Sequence, residues 1–270
     1  MKSKIKKLDY RRIKSYWNNL DPKFKGEYGQ NYLIDRNNEL IAKHRFLKDS
    51  SFILENLPKK KKRFLDVGCG TGNYIEILSK QFDYCEGIDF SQDSVKIAKK
   101  KFKNRKNIKI IKKNVLSAEI KGKFDLINIS EVLMYLNDND IIMLLTKLFK
   151  HLSKNGILTI RESVATNKTV NLDREGGHLT IRRTKNDLYA LFKKSKLKVV
   201  MDRRNCDYNY IWMVLRLFSP IKPLAKNEKF LTFFLNNKFT RDIVLYSALR
   251  IVILMKRNFI DHYYFVLNRL

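Results

Sequence analysis

The chain has 270 residues and a formal net charge of +29. This length allows a sizeable core around one α/β unit with additions, and the lack of an apolar run of about 20 residues excludes a spanning helix. The three cysteines, Cys69, Cys85 and Cys206, are too widely spaced for a zinc pattern, so no metal is expected. They suit a reducing compartment. The basic N-terminus lacks the apolar segment of a secretory signal, so a cytoplasmic protein is expected.

Residues 1–60 form an N-terminal basic and helical cap. It opens on a basic tail, Lys2 to Lys14, passes Tyr16-Trp17 and a loop over Gly26 to Asn31, and continues as a helix from about Asp35 to Asn56. Residues 61–217 alternate strands with helices. Arg63 to Val67 and Tyr84 to Asp89 are short apolar-rich runs that read as buried parallel strands. Asn73 to Lys80, with Tyr74, Ile77 and Leu78 at helical spacing, and Asp93 to Lys101 read as helices. A third strand follows at Asn107 to Ile111, and Arg183 to Lys194 reads as a later helix. Strands at Leu197 to Asp202 and Tyr208 to Leu217 close the unit. Such alternation gives a mostly parallel sheet with helices on both faces. Pro220 and Pro223 end it, and residues 218–270 are expected to form an apolar and basic helical extension.

The stretch Leu65-Asp66-Val67-Gly68-Cys69-Gly70-Thr71-Gly72 is the most informative motif. A glycine-rich turn between strand and helix lets the backbone approach a ligand closely, because no Cβ intervenes. The dinucleotide fingerprint GxGxxG fits poorly: Asn73 stands where its third small residue should be, and Asp66 would repel a pyrophosphate. An acid there suits a sulfonium ligand with an α-ammonium group, which is S-adenosylmethionine. A tight turn with no ligand is the plain alternative. Asp89, at the tip of the second strand, is placed to accept both ribose hydroxyls, and Phe90 to lie against adenine.

On these residues the chain resembles the class I S-adenosylmethionine-dependent methyltransferases over roughly Arg63 to Leu217. The segment from Leu65 to Tyr74 matches the family's first motif, and Gly87 to Val95 its second. The resemblance implies a Rossmann-like seven-stranded sheet whose last two strands pair antiparallel. It implies that Asp66, Gly68, Cys69, Gly70 and Gly72 hold the methionine part of the cofactor, and Asp89 the ribose. Asn114 stands where the family often has an Asp that reads the adenine amino group; Val115 and, at the exit of the fourth strand, Ser130 complete the cofactor set. Lys123 to Glu131 and Leu152 to Glu162 match the later strands in order and spacing.

A sulfonium methyl is already activated, so the protein mainly aligns and desolvates the acceptor. A hydroxyl or ammonium acceptor must also lose a proton. Glu131, Glu162 and His178 are the candidate bases at or beyond the carboxyl ends of strands four and five. His178 sits in a Gly-Gly-His loop, and its near-neutral pKa suits the task. Trp17, Tyr28 and Tyr135 are candidates to cover cofactor or acceptor, and Arg183 to pair with Glu162 as a structural or gating contact.

Lys96 to Lys113 carries ten basic residues and no acid. Such a face attracts phosphates, in RNA or in anionic lipid, or is simply a solvated surface. Two apolar runs, Phe230 to Leu235 and Ile243 to Met255, have basic flanks. They fit a helix at the membrane interface or one packed on the core. The expected acceptor is therefore oxygen or nitrogen of a small molecule, a glycan or a lipid-linked compound. RNA is the alternative; a non-catalytic basic binding subunit is the third reading. The Asn/Asp-Pro-Pro-aromatic motif of base-amine methylation is absent: Asn128-Ile129-Ser130-Glu131 holds no proline.

Overall fold

A computed structural model describes residues 5–19, 39–174, 178–205, 237 and 260–269. Four short strands, β1 (Arg63–Val67), β2 (Tyr84–Asp89), β3 (Ile108–Lys112) and β4 (Phe124–Ser130), lie parallel in the order β3-β2-β1-β4. The long β5 (Leu152–Ala165) continues the sheet parallel to β4. Near-continuous burial of β1, β2 and β4 is what a sheet covered on both faces demands.

Two helical layers provide that cover. On one face α2 (Glu39–Glu55), α3 (Asn73–Leu78) and α4 (Gln92–Lys101) contribute Phe46, Ile53, Ile75, Leu78 and Val95 to a common apolar cluster. On the other, α5 (Asp138–His151) and α6 (Lys185–Lys194) contribute Leu144, Leu148, Leu188 and Phe192. Local signals set the helix starts. Ser91 Oγ accepts from the Ser94 N–H at the start of α4, and Thr184 Oγ1 from the Asp187 N–H at the start of α6. Lysines at the last turn of α4 complement its dipole.

The N-terminal basic tail carries a helix. Asp9 caps α1 (Tyr10–Asn18), accepting from the Arg11 and Arg12 N–H groups. This helix was not foreseen, because its charged residues mask a single buried position, Ile13.

The far side of the sheet departs further from expectation. β9 (Ile260–Arg269) runs antiparallel between β5 and β8 (Leu197–Asn205). Residues 260–269 were expected to be helical. They form a strand because Tyr264 and Val266 on one face and Phe265 and Leu267 on the other are all buried. Tyr208 to Leu217, read as the antiparallel neighbour of β8, lies outside the described residues; the observed neighbour is β9. The apolar runs at 230–235 and 243–255 also lie outside them. Among the described residues seven strands thus run β3-β2-β1-β4-β5-β9-β8, and a hairpin raises the total to nine. That hairpin, β6 (Val170–Arg174) and β7 (His178–Thr184), joins the end of β5 through Val164↔Arg183 and Ala165↔Thr184. Among the described residues no helix is long and apolar enough to cross a membrane.

Candidate active site

A cavity of about 680 Å³ opens at the carboxyl ends of β1, β2 and β4, where ligands bind in sheets of this kind. One half is lined by Gly68, Cys69, Gly70, Asp89, Phe90, Asn114, Val115 and Ser130. Gly68 and Gly70 adopt φ of +74° and +52°, so the turn needs residues without Cβ. Asp89 is fastened from both sides: Oδ2 accepts from the Gly70 N–H at 2.9 Å and Oδ1 from the Ser91 N–H at 2.7 Å. Burial nevertheless pushes its carboxyl above the usual range. Asn114 Oδ1 accepts from the Leu116 N–H at 2.9 Å and shapes the loop after β3.

α1 roofs this half. Trp17 packs edge-on to Tyr135, with ring centroids 5.6 Å apart, and both line the cavity. The Trp17 carbonyl accepts from Ser91 Oγ, and Asn18 Oδ1 from the Gln92 N–H. Tyr10 ties the other end of α1 to Asp140 and Asn137.

Two residues of the motif lie behind the cavity rather than in it. Asp66 is buried beneath the loop in a polar row across three strands: Asn128 Nδ2 donates to Asp66 Oδ1 at 2.9 Å, and Thr159 Oγ1 to Asn128 Oδ1 at 3.0 Å. Its Oδ2 is buried with no hydrogen-bond partner among the described residues. Burial, opposed by Asn128 and reinforced by Asp89, pushes the carboxyl up to about 7. Gly72 starts α3 at φ +85°, and a Cβ there would come within 2.5 Å of Phe102.

The other half of the cavity is lined by Tyr74, Glu131, Val132, Tyr135, Arg161 and His262. Glu131 leaves β4 at φ +57°, a costly conformation for a residue with Cβ. Its carboxylate lies 3.0 Å from the Arg161 guanidinium, 3.3 Å from His262 Nε2 and 3.9 Å from Arg182. Burial pushes this carboxyl up, but Arg161, His262 and Arg182 outweigh it and hold it well below the ordinary range. Arg161 is itself held by buried Asp49 at 2.5 Å.

Glu162 and Arg183 do not reach the cavity. Side chains alternate along β5, so Arg161 and Ser163 share a face and Glu162 takes the other. Glu162 accepts from the Met134 and Ser163 N–H groups; burial and then Glu131 raise it to about 8. Arg183 pairs with Asp138 and donates to the Leu133 and Leu136 carbonyls at 3.0 and 2.7 Å, which corrects the expected gate with Glu162. His178 opens β7 opposite Arg174 rather than standing in a free loop; its side chain and Tyr28 lie outside the described residues. The match to the family's later strands runs through Arg161 without giving it or Ser163 a role, and no motif marks His262.

The family model described as "Methyltransferase domain" matches residues 38–210. The chain belongs to this methyltransferase family. The glycine loop and Asp89, which line the cavity, fit S-adenosylmethionine as the methyl donor, a ligand with hydroxyl and amino groups to be held. The methyltransferase is 31% identical over 172 residues to the ubiquinone biosynthesis O-methyltransferase of Pelagibacter ubique (strain HTCC1062), covering 63% of this chain and 66% of that one. It is 30% identical over 143 residues to the ribosomal RNA small subunit methyltransferase A of Mesomycoplasma hyopneumoniae (strain 232), covering 52% and 49%. The chain thus spans about half the length of several curated relatives it matches. Among solved structures it is similar in fold to geranyl diphosphate C-methyltransferase from Streptomyces coelicolor A3(2), with TM-score 0.65, 12% identity and coverage of 96% and 97%.

Proposed function

We propose that this methyltransferase moves the methyl group to oxygen or nitrogen of a small-molecule, glycan or lipid-linked acceptor. The observation that carries this reading is the two-part cavity: one half is built from the glycine loop and Asp89 beneath the roof of α1, and the other presents Glu131. A space of about 680 Å³ is of the size that holds small ligands. The donor supplies an activated methyl on sulfur. Asp89 and the Gly68–Gly70 turn hold it, Trp17 and Tyr135 exclude water, and Glu131 orients the attacking group and receives its proton.

Calorimetric titration with S-adenosylmethionine tests the first half of this reading. Binding at micromolar Kd is expected for the wild type, with loss in Asp89→Ala and in Gly70→Arg. A folded wild type that does not bind would sink it. Labelled methyl donor and a pool of small hydroxyl and amine compounds then test the acceptor class.

The basic face supports RNA as a second reading. Lys96, Lys99, Lys100, Lys103, Arg105, Lys106 and Lys109 are exposed, and the run ends on Lys112 and Lys113 at the cavity rim, with Arg11 and Lys14 also on the lining. Filter binding to single-stranded RNA should then weaken steeply with salt. No binding at low salt removes this reading.

A further inference from the structure

Four chain segments converge on Glu131: Arg161 and Ser163 from β5, Arg182 from β7, His262 from β9, and the exit of β4 itself. The protons in this group can be assigned by counting. Ser163 Oγ lies 2.8 and 3.0 Å from the two Glu131 carboxylate oxygens and 3.0 Å from His262 Nε2. A hydroxyl has one proton to give, and an ionised carboxylate can only accept. Ser163 therefore donates to Glu131, and its oxygen accepts from His262. Nε2 carries a proton in either charge state of the ring, which fixes the neutral tautomer.

We propose that His262 is a positioning residue for methyl transfer: through Ser163 and directly, its Nε2–H holds the Glu131 carboxylate ionised and aimed at the acceptor. The geometry divides the roles. The Glu131 side chain is 19% exposed and His262 only 3%, so Glu131 is the group that meets the acceptor and His262 acts through it. As the acceptor's lone pair forms its bond to the methyl carbon, the carbon–sulfur bond breaks and its electron pair stays on sulfur. The acceptor's proton passes to a Glu131 oxygen, while the electrons of the broken bond to hydrogen stay on the acceptor atom. The charged groups about the Glu131–His262 pair are Arg161 and Arg182, which face Glu131, and Asp49, which holds Arg161 and accepts from the Tyr264 hydroxyl; Glu162 lies on the other face of β5. This inference rests on the methyltransferase reading of the cavity for its function, but its proton assignment stands on contacts within the chain.

The test is NMR on the full chain saturated with S-adenosylhomocysteine, with ¹⁵N-labelled histidine and ¹³C-carboxyl glutamate. A protonated Nε2 on His262 is expected throughout the titration. The Glu131 midpoint should rise by about one pH unit in His262→Phe and in Ser163→Ala, which lose a donor to the carboxylate. His262→Gln, which restores a donor, should recover at least half of the shift. An unprotonated Nε2, or a Glu131 midpoint unmoved in both Ser163→Ala and His262→Phe, overturns the proposal. Ser163→Ala and the wild-type tautomer decide the matter if His262→Phe does not fold. S-adenosylhomocysteine binding, read in the same samples, is expected to stay within about threefold of wild type, since these residues lie on the acceptor side. Failure of the wild type to bind overturns the reading of the cavity and leaves the proton assignment readable.

Discussion

Asp66 shows how a motif residue can stand out in the sequence while its place and energetics stay hidden: expected to hold the cofactor, it lies beneath the loop against Asn128. Its carboxyl titrates at about 7 because burial outweighs the Asn128 hydrogen bond. The unfolded chain loses this proton near the ordinary carboxylate value of about 4. Between those values the unfolded state binds fewer protons than the folded one, so stability falls as pH rises. Asp66→Asn retains an oxygen to accept from Asn128 and has no proton to lose. In urea unfolding, the variant should gain on wild type by a few kcal/mol between about pH 4 and pH 8; equal slopes against pH would contradict the burial argument. Gly68 makes a second case. A Cβ there would lie 2.4 Å from Val132 Cγ2, at φ +74°. Gly68→Ala is expected to cost about 1–3 kcal/mol and to weaken S-adenosylmethionine binding at least tenfold by calorimetry. The pattern of residues made this loop legible, but its spacing could not separate lining residues from supports. Gly68, Gly70 and Asp89 face the cavity, whereas Asp66 and Gly72 serve the sheet and α3.

At the scale of elements, the turn after β4 depends on a brace from a distant strand. Arg183, 2% exposed on its side chain, satisfies the Leu133 and Leu136 carbonyls and pairs with Asp138. Removing it takes the guanidinium donor from the Leu136 carbonyl and leaves the Leu133 carbonyl with the Leu136 N–H. Arg183→Ala should therefore lose about 3 kcal/mol in chemical denaturation, and Arg183→Lys, which cannot span all three partners, should recover only part of it. The roof helix has its own fastening. Tyr10 donates to Asp140 and accepts from Asn137, and burial first, then Asp140, raises its hydroxyl to about 12. Tyr10→Phe should loosen α1, seen as faster amide hydrogen exchange over residues 10–18 with little change in β1 or β4. The short parallel strands and α3, α4 and α6 could be read from apolar runs and caps. The hairpin of β6 and β7 could not, because its pairing with the last two residues of β5 is a long-range choice.

The whole molecule is closed by its last described strand. β9 fills the gap between β5 and β8, and Phe265, fully buried, packs on Phe192 and Tyr189. Phe265→Ala should cost about 3–5 kcal/mol and lower the thermal midpoint accordingly; a loss below about 1 kcal/mol would mean that the strand is not part of the core. The same strand brings His262 to Glu131 from far along the chain. By itself the sequence determined the α/β class, the glycine turn with Asp89 at the tip of the next strand, and the cationic face, because these depend on local periodicity, local turn chemistry and composition. Only the tertiary structure decided which motif residues face the cavity, that residues 260–269 are a strand, and that Arg161, Ser163 and His262 gather about Glu131. Those outcomes depend on strand order and pairing, and the energy that selects among pairings comes from contacts between residues far apart in the chain.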